Sequence, residues 1–219
     1  AMIIYDLIKT EAGALFVAGG PDGKLIRLVD DQLDEIVSLQ DEEIFCLDLF
    51  EGQVLVAVSG KGVSRLALLN DGSLQTVAAL PDDRYVWDTV VEGRRIFVAT
   101  GTDGRLLQVD VPIDDDPQIR VLLDAEQDNL LCLGRDGDGR LYAGSDGEGL
   151  VYRVIVKENN EGTAFVLYDA PEAEIGSLLV QPDGTVFAGT ADAKQAKVGR
   201  LTAAVKAPMG RPATRRPAK

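Results

Sequence analysis

The sequence predicts an all-β chain, a β-propeller built from about five four-stranded antiparallel blades with the last blade incomplete. Three observations carry this. A short phrase recurs five times: Leu15-Phe16-Val17-Ala18-Gly19, Leu55-Val56-Ala57-Val58-Ser59-Gly60, Ile96-Phe97-Val98-Ala99-Thr100-Gly101, Leu141-Tyr142-Ala143-Gly144-Ser145 and Val186-Phe187-Ala188-Gly189-Thr190. Aligned on their alanines, the phrases are spaced by 39, 42, 44 and 45 residues, the period of propeller blades. The first and second strands of each repeat read as nearly continuous apolar runs, as strands buried on both faces do.

The second repeat shows the unit most clearly. Ile44–Leu49 reads as a first strand, Glu51-Gly52 as a tight hairpin turn, and Val54–Val58 as a second strand. Ser59–Gly62 turns again into a third strand, Val63–Leu69; after Asn70-Asp71-Gly72 comes a fourth, Leu74–Leu80. Counting back from the alanines, Leu7-Ile8, Asp88-Thr89, Cys132-Leu133 and Ser177-Leu178 fall where Cys46-Leu47 lies. Third strands are expected at Lys24–Val29, Arg105–Asp110 and Leu150–Val154, and fourth strands at Glu35–Leu39, Gln118–Leu123 and Ala164–Tyr168. The blades are then about 3–40, 41–80, 81–123, 124–168 and 169–201. In the last, Lys197–Leu201 offers a third strand and no fourth follows. Residues 202–219 form a basic Pro/Arg/Ala tail or a truncated insertion, expected to be flexible. A ring that lacks a strand leaves an edge. The expectation is a segment of a larger propeller, or closure by another chain with self-association through the open blade edge.

Composition narrows the function classes. The net charge is −14, and every acid lies before residue 193, where 36 acids face 14 bases. A body this acidic repels a phosphate backbone, which excludes nucleic acid as the main partner. No stretch approaches the roughly 20 apolar residues of a membrane span. The chain has no histidine, which removes the commonest general base and a favoured metal ligand. Cys46 and Cys132 occupy the same place in non-adjacent repeats and read as small buried filler, not as a disulfide. Ala1 before Met2 reads as a cloning remnant, which leaves room for an export leader or upstream domains in the native chain.

Tyr85-Val86-Trp87-Asp88, the stretch from Arg135 to Gly144 and the stretch from Pro182 to Thr190 resemble the repeats of large bacterial β-propeller proteins, with NHL-type, two-component-regulator-type and quinoprotein-type propellers as wider relatives. The resemblance covers about residues 3–201. It specifies repeat architecture and no activity, and it implies more than five blades. Trp87-Asp88 is not a WD-repeat signature, because it lies on a first strand and no Gly-His precedes it.

Most candidate sites reduce to turns. Asp136-Gly137-Asp138-Gly139 carries two near-adjacent carboxylates but lacks the further oxygen donors of a calcium loop. Ser145–Gly149 has counterparts at Gly20–Gly23 and Thr102–Gly104, which marks it as turn chemistry. The acids Asp114, Asp115 and Asp116 read as a solvated loop. The remaining set is Tyr5, Asp6, Asp48, Trp87 and Asp88, all on first strands. First strands line a propeller's channel, so these residues are the candidate ligand-binding group, a shallow acidic site. The alternative is that their carboxylates bond to neighbouring turns and hold blades together. No catalytic residue, metal ligand or cofactor is predicted. The leading expectation is a non-catalytic scaffold that binds a protein or carbohydrate partner. The alternative is an enzyme with a carboxylate-lined axial site, like calcium-dependent lactonases or quinoproteins.

Overall fold

The computed structural model describes residues 2–60, 63–192 and 211–212. All of its regular structure is strand. Blade 1 contains β1 (Ile3–Lys9), β2 (Leu15–Gly20), β3 (Lys24–Val29) and β4 (Gln32–Val37), paired in that order. Blade 2 contains β5 (Glu42–Phe50), β6 (Gln53–Gly60), β7 (Ser64–Asn70) and β8 (Ser73–Leu80). Blade 3 contains β9 (Tyr85–Glu92), β10 (Arg95–Gly101), β11 (Arg105–Asp110) and β12 (Gln118–Asp124). Blade 4 contains β13 (Leu130–Arg135), β14 (Leu141–Ser145), β15 (Leu150–Val156) and β16 (Gly162–Asp169). Blade 5 contains β17 (Glu174–Val180) and β18 (Val186–Ala191). Its expected third strand at 197–201 lies outside the described residues, as does most of 202–219. Within that tail, Arg211–Pro212 (β19) pairs with Phe165 and Val166 of β16 as a fifth strand on blade 4.

Contacts group the chain into two units, residues 1–98 with 108–119 and residues 99–107 with 120–219. In the first unit, blades 1 and 2 pack face to face. Phe16, Ala18 and Leu25 of blade 1 form one cluster with Ile44, Leu47, Val54, Val56 and Val58 of blade 2. The strand pairings sort these residues by face. On β5, Ile44 and Leu47 look back at blade 1, whereas Cys46 and Asp48 look forward to β9. In the second unit, Cys132 and Val151 of blade 4 pack with Ile175 of blade 5, and Leu178 and Ala188 lie against them. Within each unit a blade thus presents a forward face to the backward face of the next.

Turn chemistry follows the residues. Glu51 and Gly52 both have positive φ, 50° and 81°, as do Asp71 and Gly72, 46° and 79°. A two-residue hairpin of matching twist requires this pair of conformations. Asp30 and Asp31 make the same turn without glycine, at 47° and 61°, so β4 starts at Gln32, three residues before the expected fourth strand. The first hairpins of blades 1, 4 and 5 are longer. Each is closed by a backbone bond across five residues: Thr10 to Ala14, Asp136 to Arg140 and Gln181 to Thr185.

The first strand of four blades carries a β-bulge, between Ile4 and Asp6, Ile44 and Cys46, Leu130 and Cys132, and Ile175 and Ser177. Asp6 pairs with Ala18, Cys46 with Ala57, Cys132 with Gly144 and Ser177 with Gly189. The counterpart of Cys46-Leu47 in blade 1 is therefore Asp6-Leu7, one residue earlier than counting from the alanines gives. The two-residue turn after β5, against the five-residue turn after β1, shifts the count.

Ile4 and Ile44 occupy the same repeat position, but Ile44 is fully buried and Ile4 is 59% exposed. Ile44→Ala should cost about 3 kcal/mol. In dilute solution Ile4→Ala should cost less than about 0.5 kcal/mol. Denaturant unfolding of both variants measures the contrast.

Candidate functional site

The five sequence-selected residues all lie in the first unit, on β1, β5 and β9, with β5 in contact with both of the others. On β1 and β5 the bulge decides what the strand presents. Its extra residue is Tyr5 on β1 and Phe45 on β5. Trp87 follows the fully buried Val86 as Phe45 follows Ile44.

A row of rings results. Tyr5 meets Phe45 edge-on with centroids 4.9 Å apart, and Phe45 meets Trp87 at 4.7 Å. Tyr85 completes the row, 5.2 Å from Trp87 and 6.1 Å from Phe45. These separations fall in the favourable range for tilted and edge-to-face pairs. Tyr5 is exposed and the other three rings are half-buried. At one end the Arg84 guanidinium lies 5.2 Å from the Tyr85 ring centre. At the other, Glu43 Oε2 is buried without a hydrogen-bond partner among the described residues. Gly20 permits that approach, because a Cβ there would stand 2.7 Å from Glu43 Oε2 and 2.9 Å from the Tyr5 ring.

The three carboxylates act mainly on backbone. Asp6 accepts from Leu7 N through Oδ1 and from Leu47 N of the next blade through Oδ2, both at 2.7 Å. Asp48 accepts from Leu49 N at 2.7 Å and from the Thr89 hydroxyl of the next blade at 3.5 Å. Asp88 accepts from Thr89 N at 2.8 Å. Burial pushes the pKa of Asp6 and Asp48 up, partly opposed by these hydrogen bonds. Cys46 sits among the three. Burial above all, then the charges of Asp88, Asp6 and Asp48, drive its thiol pKa well up, so Cys46 is no nucleophile. Cys46 and Cys132 are both free and buried.

The turn acids are likewise engaged. Asp136 is buried and accepts from Asp138 N, Arg140 N, Arg140 Nε and the Tyr142 hydroxyl. Burial raises its pKa, but the bonds from Arg140 and Tyr142 outweigh that and hold it below the ordinary value. Asp146 accepts twice from Asn129. Asp114, Asp115 and Asp116 are exposed. Among the described residues no group of three or more His, Cys, Asp or Glu side chains is placed to hold a metal ion. Phe45, Tyr85 and Glu43 were not selected from sequence. Phe45 was legible as the repeat counterpart of Trp87, whereas its match to Tyr5 appears only in the strand pairing and nothing in the sequence marks Glu43.

No protein-family model matches the chain, and no curated protein sequence does. Solved structures do resemble it. A luciferin-regenerating enzyme superposes with a TM-score of 0.68 at 10% identity, over 86% of this chain and 70% of that one. Regucalcin from Agrobacterium tumefaciens, a calcium-binding protein, superposes with a TM-score of 0.62 at 15% identity, over 87% of this chain and 69% of that one. At such identities the likeness shows the fold, which is that of a β-propeller.

Asp48 and Asp136 should give opposite pH dependences. Asp48 holds its proton more tightly folded than unfolded. Its contribution to stability is present below the ordinary carboxylate range and is lost as pH rises through its raised value. The stability of wild type relative to Asp48→Asn therefore falls as pH rises. Asp136 contributes above the ordinary range and loses its effect as pH falls through its lowered value, so wild type gains on Asp136→Asn as pH rises. Urea unfolding of the three proteins across the acid range reads both slopes.

Proposed function

We propose that this chain is a non-catalytic binding module whose contact surface is the ring row of Tyr5, Phe45, Tyr85 and Trp87, and that its ligand is a protein segment. One observation carries the reading. On three adjacent strands the carboxylates are taken up by backbone hydrogen bonds, and beside them runs a row of three half-buried rings with an exposed fourth, Tyr5. Tyr, Trp and Arg are the residue types that concentrate binding energy at protein interfaces, and Arg84 lies at the end of the row. A sugar presenting an apolar face to the same rings is the other ligand that this surface suits.

A catalytic reading draws on a different observation. Asp6, Asp48 and Asp88 gather around Cys46 closely enough to influence its thiol, and the solved proteins of similar fold include an enzyme and a calcium-binding protein. On that reading the carboxylates would serve a lactonase-like or quinoprotein-like centre. Their engagement with backbone N–H groups favours the binding module.

Trp87 is the only tryptophan in the chain, so its emission reports on this surface directly. Peptide and oligosaccharide arrays, followed by titration of the hits against Trp87 fluorescence, should return ligands that perturb its emission. Tyr5→Ala should weaken them at least tenfold, about 1.4 kcal/mol, without loss of fold. Calcium-dependent hydrolysis of a sugar lactone, abolished in Asp48→Asn or Asp88→Asn, would replace the binding reading with the catalytic one.

A further inference from the structure

The repeat supplies an internal standard for how much of each blade face should be covered. In blade 2 the backward face is dry: Ile44 is 0% and Leu47 7% exposed, both packed under Phe16, Ala18 and Leu25 of the preceding blade. The strand pairings place Ile4 and Leu7 of blade 1 at the same two positions. They are 59% and 58% exposed. On the outermost strand of the same face, Leu33, opposite Leu28, is 70% exposed. Blade 5 shows the converse. Phe187 pairs with Leu179 as Phe16 pairs with Ile8, so Phe187 is the counterpart of Phe16 on the forward face. Phe16 is 7% exposed beneath blade 2, whereas Phe187 is 45% and Leu179 63% exposed.

Among the described residues, one chain therefore carries both halves of a blade–blade contact, each uncovered. The occupant that fits the backward face of blade 1 is defined by what covers its equivalent in blade 2: a phenylalanine-bearing forward face. Blade 5 has one. We infer that the chain self-associates head to tail, with the Leu179–Phe187 face of one copy seated on the Ile4, Leu7 and Leu33 face of the next. The contact uses two different patches, so a pair formed this way still has one of each patch open and can add further copies. The sequence reading placed self-association at an open blade edge; here apolar faces drive it, through the area removed from water. The inference stands apart from the ring-row ligand, since Ile4, Leu7, Leu33, Leu179 and Phe187 do not belong to that row.

Light scattering behind size exclusion over a concentration series tests it. Wild type should show a mass that rises with concentration above that of one chain. Leu7→Glu and Phe187→Glu should each run as single chains up to concentrations at least tenfold higher. An equimolar mixture of the two should recover a 1:1 pair, because each retains the patch that the other has lost. Circular dichroism checks that the variants fold. Should Leu7→Glu fail that check, Leu33→Glu on the same face carries the same expectation. A wild type that stays a single chain throughout overturns the inference and points to coverage by a further blade or a different protein. Either variant assembling alone, or a mixture that does not pair, overturns the head-to-tail arrangement.

Discussion

An inner blade draws its stability from two dry faces, and no blade can arrange that by itself. β6 shows the demand: Val54, Leu55, Val56, Ala57 and Val58 are all buried, although alternate residues point to opposite sides of the sheet. The burial of Val54, Val56 and Val58 depends on the blade before, and Ser59 of the same strand is bonded by Val86 N of the blade after. At roughly 25 cal/mol per Å² of apolar surface, the area that a neighbouring blade covers is a direct contribution to stability. The near-continuous apolar runs of the sequence are the direct imprint of this demand. So is the scarcity of strict alternation on inner strands.

The polar contacts serve the same stacking. The residue just after the bulge reaches to the next blade in three observed cases. Asp6 accepts from Leu47 N, Cys46 approaches the Thr89 hydroxyl, and Cys132 donates to the Ile175 carbonyl at 3.3 Å. A carboxylate or a thiol fills the place according to whether the facing blade offers a donor or an acceptor. This explains why two cysteines that look like spare filler recur at a fixed position. It also explains why carboxylates lie where burial raises their pKa: their bonds to buried N–H groups offset part of the desolvation cost.

Much of this was legible beforehand. The five phrases gave five blades, and third strands such as Lys24–Val29 and Arg105–Asp110 match the structure to the residue. Hairpins carrying Gly at positive φ were visible because that chemistry is local. The Asp30-Asp31 turn was not, because aspartate adopts the left-handed conformation without announcing it. Nor were the bulges, which leave no mark in a single strand and exist only in its pairing. That is why the carboxylates stood out in the sequence while the ring row did not. Asp6 and Asp48 are conspicuous residues, but the face to which each turns is set by one extra residue in the register. Trp87 and Tyr5 were found as isolated aromatics, and Phe45, which joins them, reads locally as core.

The bulge has one more consequence. Because its extra residue has no partner across the ladder, its side chain can change without disturbing the pairing on either side. Across the described blades that position holds Tyr5, Phe45, Leu131 and Gly176, from a large polar ring to no side chain at all, within one conserved backbone pattern. Architecture and surface chemistry are thereby uncoupled. A gene encoding this scaffold can be rewritten at a few codons to present a new surface while the stacking that holds the blades together stays under separate selection.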